Sequence, residues 1–329
     1  MPCPCLKVIV LDKIRISVGT AKIIGLERIR MNVPMKTAYL LTYYEGKCLA
    51  NCKFCAQGYK GYKNSERIAR GLYKAYPFKA SIEALVKAIE DGKFLRICLQ
   101  TINYPNLHKD VVYIVEEILS KVEVPVSVSR HPLSYEELEE LKELGVDRIV
   151  IPLDAVTKEL FEEIKPFYSW EEHWQSLKRA TEVFNGKVGT HIILGFGETE
   201  EQAIKTLKKL HEMNINAGLF AFVPLPGTPL ENHPRPKISS YRRIQLAYYL
   251  IKLGFSNFSF EEGKIKDFGI SNEKLEKIIA SGKPFLTTGC PSCTRPYSTE
   301  SPSSKLYNFP FRPSKRDIEE IKLQLEDYS

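Results

Sequence analysis

The stretch YYEGKCLANCKFCAQG, residues 43–58, decides how the rest of this sequence is interpreted. It places Cys48, Cys52 and Cys55 at C-x3-C-x2-C spacing, directly after the apolar run TAYLLTYY. Structural zinc needs four ligands and usually draws them as two pairs, so a zinc site here would need a distant Cys or His. Three thiolates at this spacing instead favour an iron–sulfur cluster in which one iron stays open to a substrate or cofactor.

Outward from this loop, short apolar or β-branched runs alternate with amphipathic helical segments over residues 37–255. Because such alternation produces parallel strands joined by right-handed crossovers, it predicts an α/β fold, a partial (β/α)6 TIM-like barrel. Catalytic groups lie at the C-terminal ends of such strands, where the cysteine loop falls. A doubly wound sheet is the alternative, although no G-x-G-x-x-G follows the first strand. The predicted strands are TAYLLTYY (37–44), FLRICLQTI (94–102), VPVSVSR (124–130), VDRIVIPLDA (146–155), GKVGTHIILGFG (186–197) and AGLFAFVPLPG (217–227).

Composition and charge narrow the setting of the protein. The chain has 329 residues, of which 43% are hydrophobic, enough to bury a sizeable core. No stretch has the apolar length of a membrane span, and the first residues lack the pattern of a secretory signal, so we expect a cytoplasmic protein. Its eight cysteines are then expected to be metal ligands, reactive thiols or buried residues. The formal net charge of +7 is spread along the chain, which predicts no nucleic-acid partner and suits an acidic one.

The cysteine loop carries a resemblance to a known family. CLANCKFC, with the aromatic Phe54 before its last cysteine, resembles the cluster loop of the radical S-adenosylmethionine (SAM) superfamily. The resemblance implies that Cys48, Cys52 and Cys55 hold a 4Fe-4S cluster and are the catalytic ligand set. It also implies that the open iron chelates the amino and carboxylate groups of SAM, whose reductive cleavage yields methionine and a 5'-deoxyadenosyl radical.

Two further segments resemble SAM-binding elements of biotin-synthase-like members of that superfamily. HIILGFGETEEQ (191–202) resembles the fifth-strand element, which implies that Gly195, Gly197 and Glu198 border the cofactor. Glycines let a backbone approach a ligand closely, and Glu198 is expected to begin a helix whose N-terminus favours electron-rich groups. The alternative is an ordinary strand-to-helix turn. VPLPGTPLE (223–231) resembles the segment after the sixth strand, which implies that Val223 and Pro224 form an adenine wall.

The resemblance also implies roles for Asp154 and His173. Each residue has an alternative, structural interpretation. IPLDAVT (151–157) resembles the fourth-strand element whose aspartate meets the ribose of SAM, which implies that role for Asp154. The alternative is an N-cap for the helix that follows. His173 stands where biotin-synthase relatives place an arginine toward the methionine carboxylate, and the alternative is a surface histidine on an exposed helix. The predicted cofactor-binding set also includes Gln100, Asn103 and Ser129.

The remaining cysteines predict a second cluster. Cys3 and Cys5 form a CPC motif at the start of the sequence, and Cys290 and Cys293 form GCPSC far down the chain. Together they supply four thiolates, so we predict an auxiliary 4Fe-4S cluster between the two ends of the chain. The alternatives are a structural zinc clasp, an electron-transfer cluster, or an N-terminal tail that binds nothing. We interpret Cys98, inside the second strand, as a small buried apolar residue.

These motifs point to one subfamily. The segments TAYLLTYYEGKC, RICLQTINYP, SWEEHW and LFAFVPLPGT resemble the biotin-synthase-related group, of which two members act together as a split lipoyl synthase. The resemblance implies a radical SAM sulfurtransferase that inserts sulfur from the auxiliary cluster into a protein-bound octanoyl chain. It implies as partners an octanoyl-lipoyl-carrier protein (H protein or E2 lipoyl domain), a homologous radical SAM protein and an electron donor. Whether a serine such as Ser298 also binds the auxiliary cluster stays open.

The domain boundaries follow from the same motifs. We predict an N-terminal extension at 1–36, the radical SAM partial barrel at 37–255, and a C-terminal extension at 256–329, with both extensions over the barrel mouth. An enzyme that performs the radical step on a free small molecule, as in biotin-synthase-like sulfur insertion, is the alternative function. A metal-dependent binding protein with zinc at its termini is an alternative of another class.

Overall fold

A computed structural model describes residues 11–30, 35–58, 66–298, 300 and 305–328. Its strands are β1 (Lys13–Ser17), β2 (Thr37–Leu41), β3 (Arg67–Ile68), β4 (Gly71–Pro77), β5 (Arg96–Gln100), β6 (Val126–Ser129), β7 (Arg148–Val150), β8 (Val188–Leu194), β9 (Ile215–Ala221), β10 (Ser259–Glu261) and β11 (Lys264–Asp267). Its helices are α1 (Val18–Ile23), α2 (Phe78–Glu90), α3 (Leu107–Leu119), α4 (Tyr135–Glu143), α5 (Lys158–Ile164), α6 (Trp170–Phe184), α7 (Glu200–Glu212), α8 (Ile238–Lys252), α9 (Asn272–Ala280), α10 (Arg295–Ser298) and α11 (Lys315–Glu326).

Six parallel strands form the centre of the sheet. They pair side by side in the order β2-β5-β6-β7-β8-β9, so each barrel strand lies beside the next one along the chain. Helices lie between successive strands, as right-handed crossovers require. The predicted α/β fold, a partial (β/α)6 barrel, is confirmed. Within the described ranges, no helix is both long and apolar enough to span a membrane.

The strands are shorter than the apolar runs that predicted them. β7 ends at Val150, although its run continues to Ala155. Ile151, Leu153 and Ala155 stay buried beyond the strand, at 0 to 1% exposure. At β7, apolar residues therefore continue from the strand into the loop above it, and period-two patterning alone does not mark where the hydrogen-bonded ladder ends.

An antiparallel edge extends the sheet beyond the first barrel strand. β1 pairs antiparallel with both β2 and β4, and β3 pairs antiparallel with β4. These strands do not take part in the strand–helix alternation, so the repeat pattern gave no sign of them. The helices follow their sequence pattern more closely. For example, α3 buries a stripe at helical spacing made of Leu107, Val111, Ile114, Val115 and Ile118.

The segment 287–295 lies along the open side of the half-barrel. At β9, the hydroxyl of Thr288 accepts a 2.8 Å hydrogen bond from the backbone N–H of Leu219. At β2, the hydroxyl of Tyr39 accepts a 2.8 Å hydrogen bond from the backbone N–H of Thr294. The sequence predicts the C-terminal extension over the barrel mouth; its cysteine-containing part bridges the last and first barrel strands from the side.

Two buried arginines of α8 hold the C-terminal region against the barrel. Arg243 forms an ion pair with Glu200 at 2.7 Å and donates to the carbonyl of Asp327 at 2.7 Å. Arg242 donates to the carbonyl of Tyr307 at 2.5 Å. Both guanidinium groups are almost wholly buried. A charge buried this deeply depends on its partners, because water cannot replace them.

We predict that Glu200→Gln lowers the free energy of unfolding by about 3 kcal/mol, because it leaves the buried Arg243 guanidinium without a counter-charge. Denaturant unfolding followed by circular dichroism measures this. Glu201→Gln is the matched control, since Glu201 is the next residue of the same helix and its partner Lys205 is 71% exposed. Equal stability of the two variants would contradict the prediction.

Candidate functional site

The cysteine loop is fixed by backbone hydrogen bonds to its own end and to the loop after β5. The N–H of Cys48 donates to the carbonyl of Gln57 at 2.9 Å, and the N–H of Leu49 donates to the carbonyl of Asn103 at 2.8 Å. The N–H of Asn103 in turn donates to the sulfur of Cys48 at 3.2 Å. The loop after the first barrel strand is therefore tied to the loop after the second.

The three cysteines of this loop line one cavity at the C-terminal ends of the strands, which we call the active-site cavity. Burial raises the pKa of Cys52 far above its usual range and raises the pKa of Cys55 to about 12. The charge of Lys165 opposes this effect at Cys52. Because a metal binds the thiolate, binding here would release these protons. The active-site cavity contains these residues of the predicted set: Cys48, Cys52, Phe54, Cys55, Gln100, Ser129, Asp154 and Val223.

The donor set of this loop suits a cluster better than a single ion. In the described part of the chain, no three Cys, His, Asp or Glu side chains converge closely enough to hold one metal ion. In a 4Fe-4S cluster each thiolate binds a different iron, so the sulfurs stand farther apart. Three thiols on one cavity wall, at C-x3-C-x2-C spacing, fit a cluster with one open iron.

Asp154 lines the active-site cavity from the loop after β7 and is held by a lysine. Its φ of 65° lies in the left-handed region. The ammonium of Lys165 donates to Asp154 Oδ2 at 2.9 Å and to the carbonyl of Pro152 at 2.6 Å, and Lys165 is fully buried. The N-cap of α5 is Thr157, so the alternative that Asp154 caps this helix is wrong. The sequence did not single out Lys165, because a lysine at the end of an amphipathic helix usually faces water.

The alternative of a surface histidine at His173 is also wrong. Its side chain is fully buried, with ring centres 4.8 Å from Phe161 and 5.2 Å from Tyr168. Burial, helped by the charge of Lys165, lowers the pKa of His173 to about 3. It lies behind the cavity wall, where His131 stands between it and the open space.

Two other histidines, the half-buried His131 and His191, do line the active-site cavity. Burial lowers the pKa of each well below its usual value. The positive charge of Lys165 acts on both in the same direction. These imidazoles are therefore neutral at physiological pH and add no charge to the site.

The glycine-rich turn after β8 has the expected special backbone but a different role for its glutamate. Gly195 and Gly197 have φ values of 117° and 110°. The carboxylate of Glu198 accepts hydrogen bonds from the N–H groups of Gly195 at 2.6 Å and Phe196 at 2.9 Å. Helix α7 begins only after its N-cap Thr199, so the expectation that Glu198 begins the helix is wrong. Glu198 therefore stabilises its own turn through hydrogen bonds to the backbone.

Several predicted cofactor residues lie outside the wall of the active-site cavity. Asn103 lines a neighbouring surface groove, with Tyr168 on the same groove. The remaining ones do not line the cavity: His173, Gly195, Gly197, Glu198 and Pro224. The direct contact of these residues with a cofactor stays a prediction.

A second cavity, which we call the thiol cavity, lies between the strands. Cys98, Cys290 and Cys293 line it together, and the hydroxyl of Tyr39 lies 3.7 Å from the sulfur of Cys293. Cys98 packs against the apolar core, as expected, but it is only partly buried and also faces two other thiols. Cys3 and Cys5 lie outside the described residues. Ser298 is exposed and donates to a backbone carbonyl, away from this cavity.

Four side chains line both cavities and form the layer between them: Ser129, His191, Phe220 and Arg295. The guanidinium of Arg295 lies 5.4 Å from the ring centre of Phe220, and its Nη1 is 3.4 Å from His191 Nε2. This layer lies between the cavity of the cysteine loop and the cavity of the other three thiols.

Comparison with known proteins identifies the relatives of the chain. The family model described as "Radical SAM superfamily" matches residues 45–210. The chain is 28% identical over 209 residues to a biotin synthase of Aquifex aeolicus, which covers 60% of this chain and 59% of that protein. It is 27% identical over 275 residues to a biotin synthase of Clostridium botulinum, which covers 79% of this chain and 80% of that protein. The chain thus spans under two thirds of the length of the Aquifex aeolicus protein and more than two thirds of the length of the Clostridium botulinum protein.

Solved structures show the same fold. The FeFe-hydrogenase maturase HydG from Carboxydothermus hydrogenoformans matches with a TM-score of 0.51 at 18% identity, over 67% of this chain and 52% of that one. SuiB of Streptococcus suis, solved with S-adenosylmethionine bound, matches with a TM-score of 0.51 at 15% identity, over 69% of this chain and 50% of that one. At these identities the likeness concerns the fold alone.

We predict that Lys165→Met weakens SAM binding about tenfold, equivalent to ~1.4 kcal/mol, while the iron content of the reconstituted protein stays unchanged. The substitution leaves the carboxylate of Asp154 without its counter-charge and free to leave the cavity wall. Equilibrium binding of SAM to anaerobically reconstituted protein measures the effect. Lys158→Met, which removes an exposed lysine of the same helix α5, is the control and should bind SAM like the wild type. Equal affinities would contradict a positioning role.

Because His173 is buried, we predict that the free energy of unfolding depends on pH. The unfolded imidazole binds a proton below about pH 6.5, whereas the buried one stays neutral down to about pH 3. The unfolded state thus binds more protons between these values, so His173 lowers native stability as the pH falls, by up to ~1.4 kcal/mol per pH unit.

We therefore expect His173→Leu to flatten the loss of stability between pH 6.5 and pH 4, leaving the loss due to other groups. The free energy of unfolding from denaturant titrations at pH 7, 6, 5 and 4 tests this. His211→Leu, at an exposed position of α7, is the control. Parallel curves for wild type and His173→Leu would refute the expectation.

Proposed function

Since the chain belongs to the radical SAM superfamily, we propose that it is a sulfurtransferase that inserts sulfur into a protein-bound octanoyl chain, as one component of a lipoyl synthase. The observation that carries this proposal is the placement of two thiol sets on either side of one layer of side chains. A radical enzyme that only removes a hydrogen atom needs the first set. A second set, next to the same space, suits an enzyme that also delivers sulfur.

Residues of the active-site cavity fit the cofactors of this superfamily. Cys48, Cys52 and Cys55 would hold the 4Fe-4S cluster, and Asp154, held by Lys165, would accept hydrogen bonds from ribose hydroxyls of SAM. When bound, the cluster and SAM supply the oxidising power needed to remove a hydrogen atom from an unactivated carbon. The role of the chain is to position the reacting groups and to keep water away from them.

The lining of the active-site cavity suits an alkyl substrate. Ile102, Ile193 and Phe222 present apolar surface to it, and the histidines beside them are neutral. A saturated chain gains from such surface without needing a polar partner. The proposed substrate is carried by a protein, and the formal net charge of +7 suits docking of an acidic lipoyl-carrier domain. A homologous radical SAM protein and an electron donor are the other proposed partners.

The sulfur would come from an auxiliary iron–sulfur cluster that is consumed as a substrate. Cys290 and Cys293, with the predicted Cys3 and Cys5, would hold it. For each sulfur inserted, the hydrogen atom of one C–H bond would pass to the radical derived from SAM, and a carbon–sulfur bond would replace the iron–sulfur bonds of one cluster sulfide. The electron released as the carbon–sulfur bond forms would stay on the cluster iron.

A free small molecule is the second candidate substrate, and Arg295 favours it. Its guanidinium faces both cavities, and among the described residues no carboxylate forms an ion pair with it. A carboxylate of a free substrate would satisfy this charge, whereas an alkyl chain would not. The similarity to the Clostridium botulinum biotin synthase over most of both chains points the same way.

The test offers both substrate classes to the anaerobically reconstituted protein with SAM and a reductant. One reaction contains an octanoylated H protein, with and without a homologous radical SAM protein, and another contains dethiobiotin. Mass spectrometry then detects sulfur added to either. We expect sulfur on the octanoyl chain, and we expect the double variant Cys290→Ala, Cys293→Ala to cleave SAM but transfer none. Sulfur on dethiobiotin alone would establish the second candidate, and SAM cleavage without any sulfur transfer would refute both.

A further inference from the structure

One tyrosine side chain connects the surface groove beside the active-site cavity with the interior of the protein. Tyr168 lines this groove together with Asn103 and His131, and its ring stacks on that of His131 with ring centres 4.1 Å apart. The residue as a whole is half-buried, but its hydroxyl oxygen is fully buried. Tyr168 thus contacts the groove with its ring and buries its polar end.

The buried hydroxyl of Tyr168 has no hydrogen-bond partner among the residues that the structure describes. The side-chain amide of Asn103 is close enough to affect the pKa of the phenol, but it lies outside hydrogen-bond geometry. A polar group that is buried without a partner costs free energy, because it has lost its contacts with water and gained none in return. The hydroxyl is therefore a donor that lacks an acceptor.

Backbone hydrogen bonds hold Tyr168 beside the cysteine loop. The N–H of Lys53, inside that loop, donates to the carbonyl of Ile164 at the end of α5 at 2.9 Å. Tyr168 follows four residues after Ile164, and its own N–H donates to the carbonyl of Lys165 at 3.0 Å. The turn that carries Tyr168 therefore adjoins the cysteine loop directly.

The charges that act on the phenol show which groups lie near it. Burial raises the pKa of Tyr168 far above its usual range, and negative charge on the cysteines of the loop raises this pKa further. The cysteines concerned are Cys52, Cys48 and Cys55, so the phenol lies near the whole set. Because it keeps its proton at physiological pH, its hydroxyl can donate a hydrogen bond.

The cysteine sulfurs become better acceptors when they bind iron. A thiol accepts hydrogen bonds weakly, whereas a thiolate or a cluster sulfide carries negative charge and accepts them more strongly. The backbone N–H of Asn103, on the same groove as Tyr168, already donates to the sulfur of Cys48 at 3.2 Å. The hydroxyl of Tyr168 would be a second donor to the same set of sulfurs.

We propose that the hydroxyl of Tyr168 donates a hydrogen bond to a sulfur of the cluster held by Cys48, Cys52 and Cys55, and thereby raises the reduction potential of that cluster. Reduction adds negative charge to the cluster, so a donor beside its sulfurs stabilises the reduced state more than the oxidised state. The inference rests on the proposed function for the presence of this cluster, and it does not depend on which substrate receives sulfur.

The experiment measures the midpoint potential of the cluster by redox titration of anaerobically reconstituted protein, followed by electron paramagnetic resonance. Every protein carries Cys290→Ala and Cys293→Ala, so that only the cluster of the cysteine loop contributes; this double variant is the reference protein. Tyr168→Phe removes the hydroxyl and keeps the stacked ring. Tyr135→Phe is the matched control, since Tyr135 is 42% exposed and its hydroxyl donates to Glu182.

We expect reduction of the Tyr168→Phe cluster to be about tenfold less favourable, which is a midpoint potential lower by ~59 mV for a one-electron couple. The iron content should stay unchanged, because Tyr168 is not a ligand. The metal-free Tyr168→Phe protein should unfold at no lower temperature than the metal-free reference protein, since the lost hydroxyl has no partner in that state. Tyr135→Phe should have the midpoint potential of the reference protein.

Equal midpoint potentials of Tyr168→Phe and the reference protein would overturn the role of Tyr168 and leave the proposed function intact. A loss of iron from Tyr168→Phe, or a lower unfolding temperature of its metal-free form, would also overturn that role, because Tyr168 would then support assembly of the site or the fold. A reference protein that binds no 4Fe-4S cluster would overturn both this inference and the proposed function.

Discussion

The open side of the half-barrel is the constraint on which much of this structure depends. Six parallel strands do not close on themselves, so β9 presents an unpaired edge to its surroundings. The segment 287–295 covers that edge, beginning with the hydrogen bond from Leu219 to Thr288. Because the same segment carries Cys290 and Cys293, covering the edge also brings two thiols into the interior of the barrel. One structural requirement thus places the residues of the second proposed cluster.

The sequence predicted those parts of the fold that rest on local periodicity. The six barrel strands and the position of the cysteine loop follow from alternation and spacing, and these predictions are confirmed. The antiparallel strands β1, β3 and β4 lack such alternation, and only the sheet that they join explains why they form. The buried state of His173 was within reach of the sequence. Helix α6 buries His173, Ser176, Leu177, Ala180 and Phe184, a spacing that places this histidine on its inner face.

The polar residues of the site were harder to predict than its thiols. Lys165 and Asp154 are eleven residues apart, and only the folded loop brings their charges to 2.9 Å. Cys98 lies almost two hundred positions from Cys290, and no local pattern connects a strand cysteine with a distant pair. Glu198 shows a further limit: its motif was recognised, but its carboxylate is engaged by two backbone N–H groups of its own turn. A sequence motif shows which residue types are present, whereas long-range packing determines which side-chain atoms can still bind a ligand.

Several groups around the space between the two thiol sets carry no net charge. His131 and His191 are neutral because burial and nearby cations oppose their protonation, and Asp154 and Lys165 compensate each other at the wall. Arg295 is the cation that both cavities share. In a space of low polarity an uncompensated cation is costly, so its partner should be an anion that arrives with a ligand. Sulfides and thiolates of a second cluster would supply that anion for an uncharged alkyl substrate, and a carboxylate would supply it for a free small molecule. Finding which group neutralises Arg295 would therefore distinguish the two proposed substrates. It would do so more directly than the overall similarity to either family.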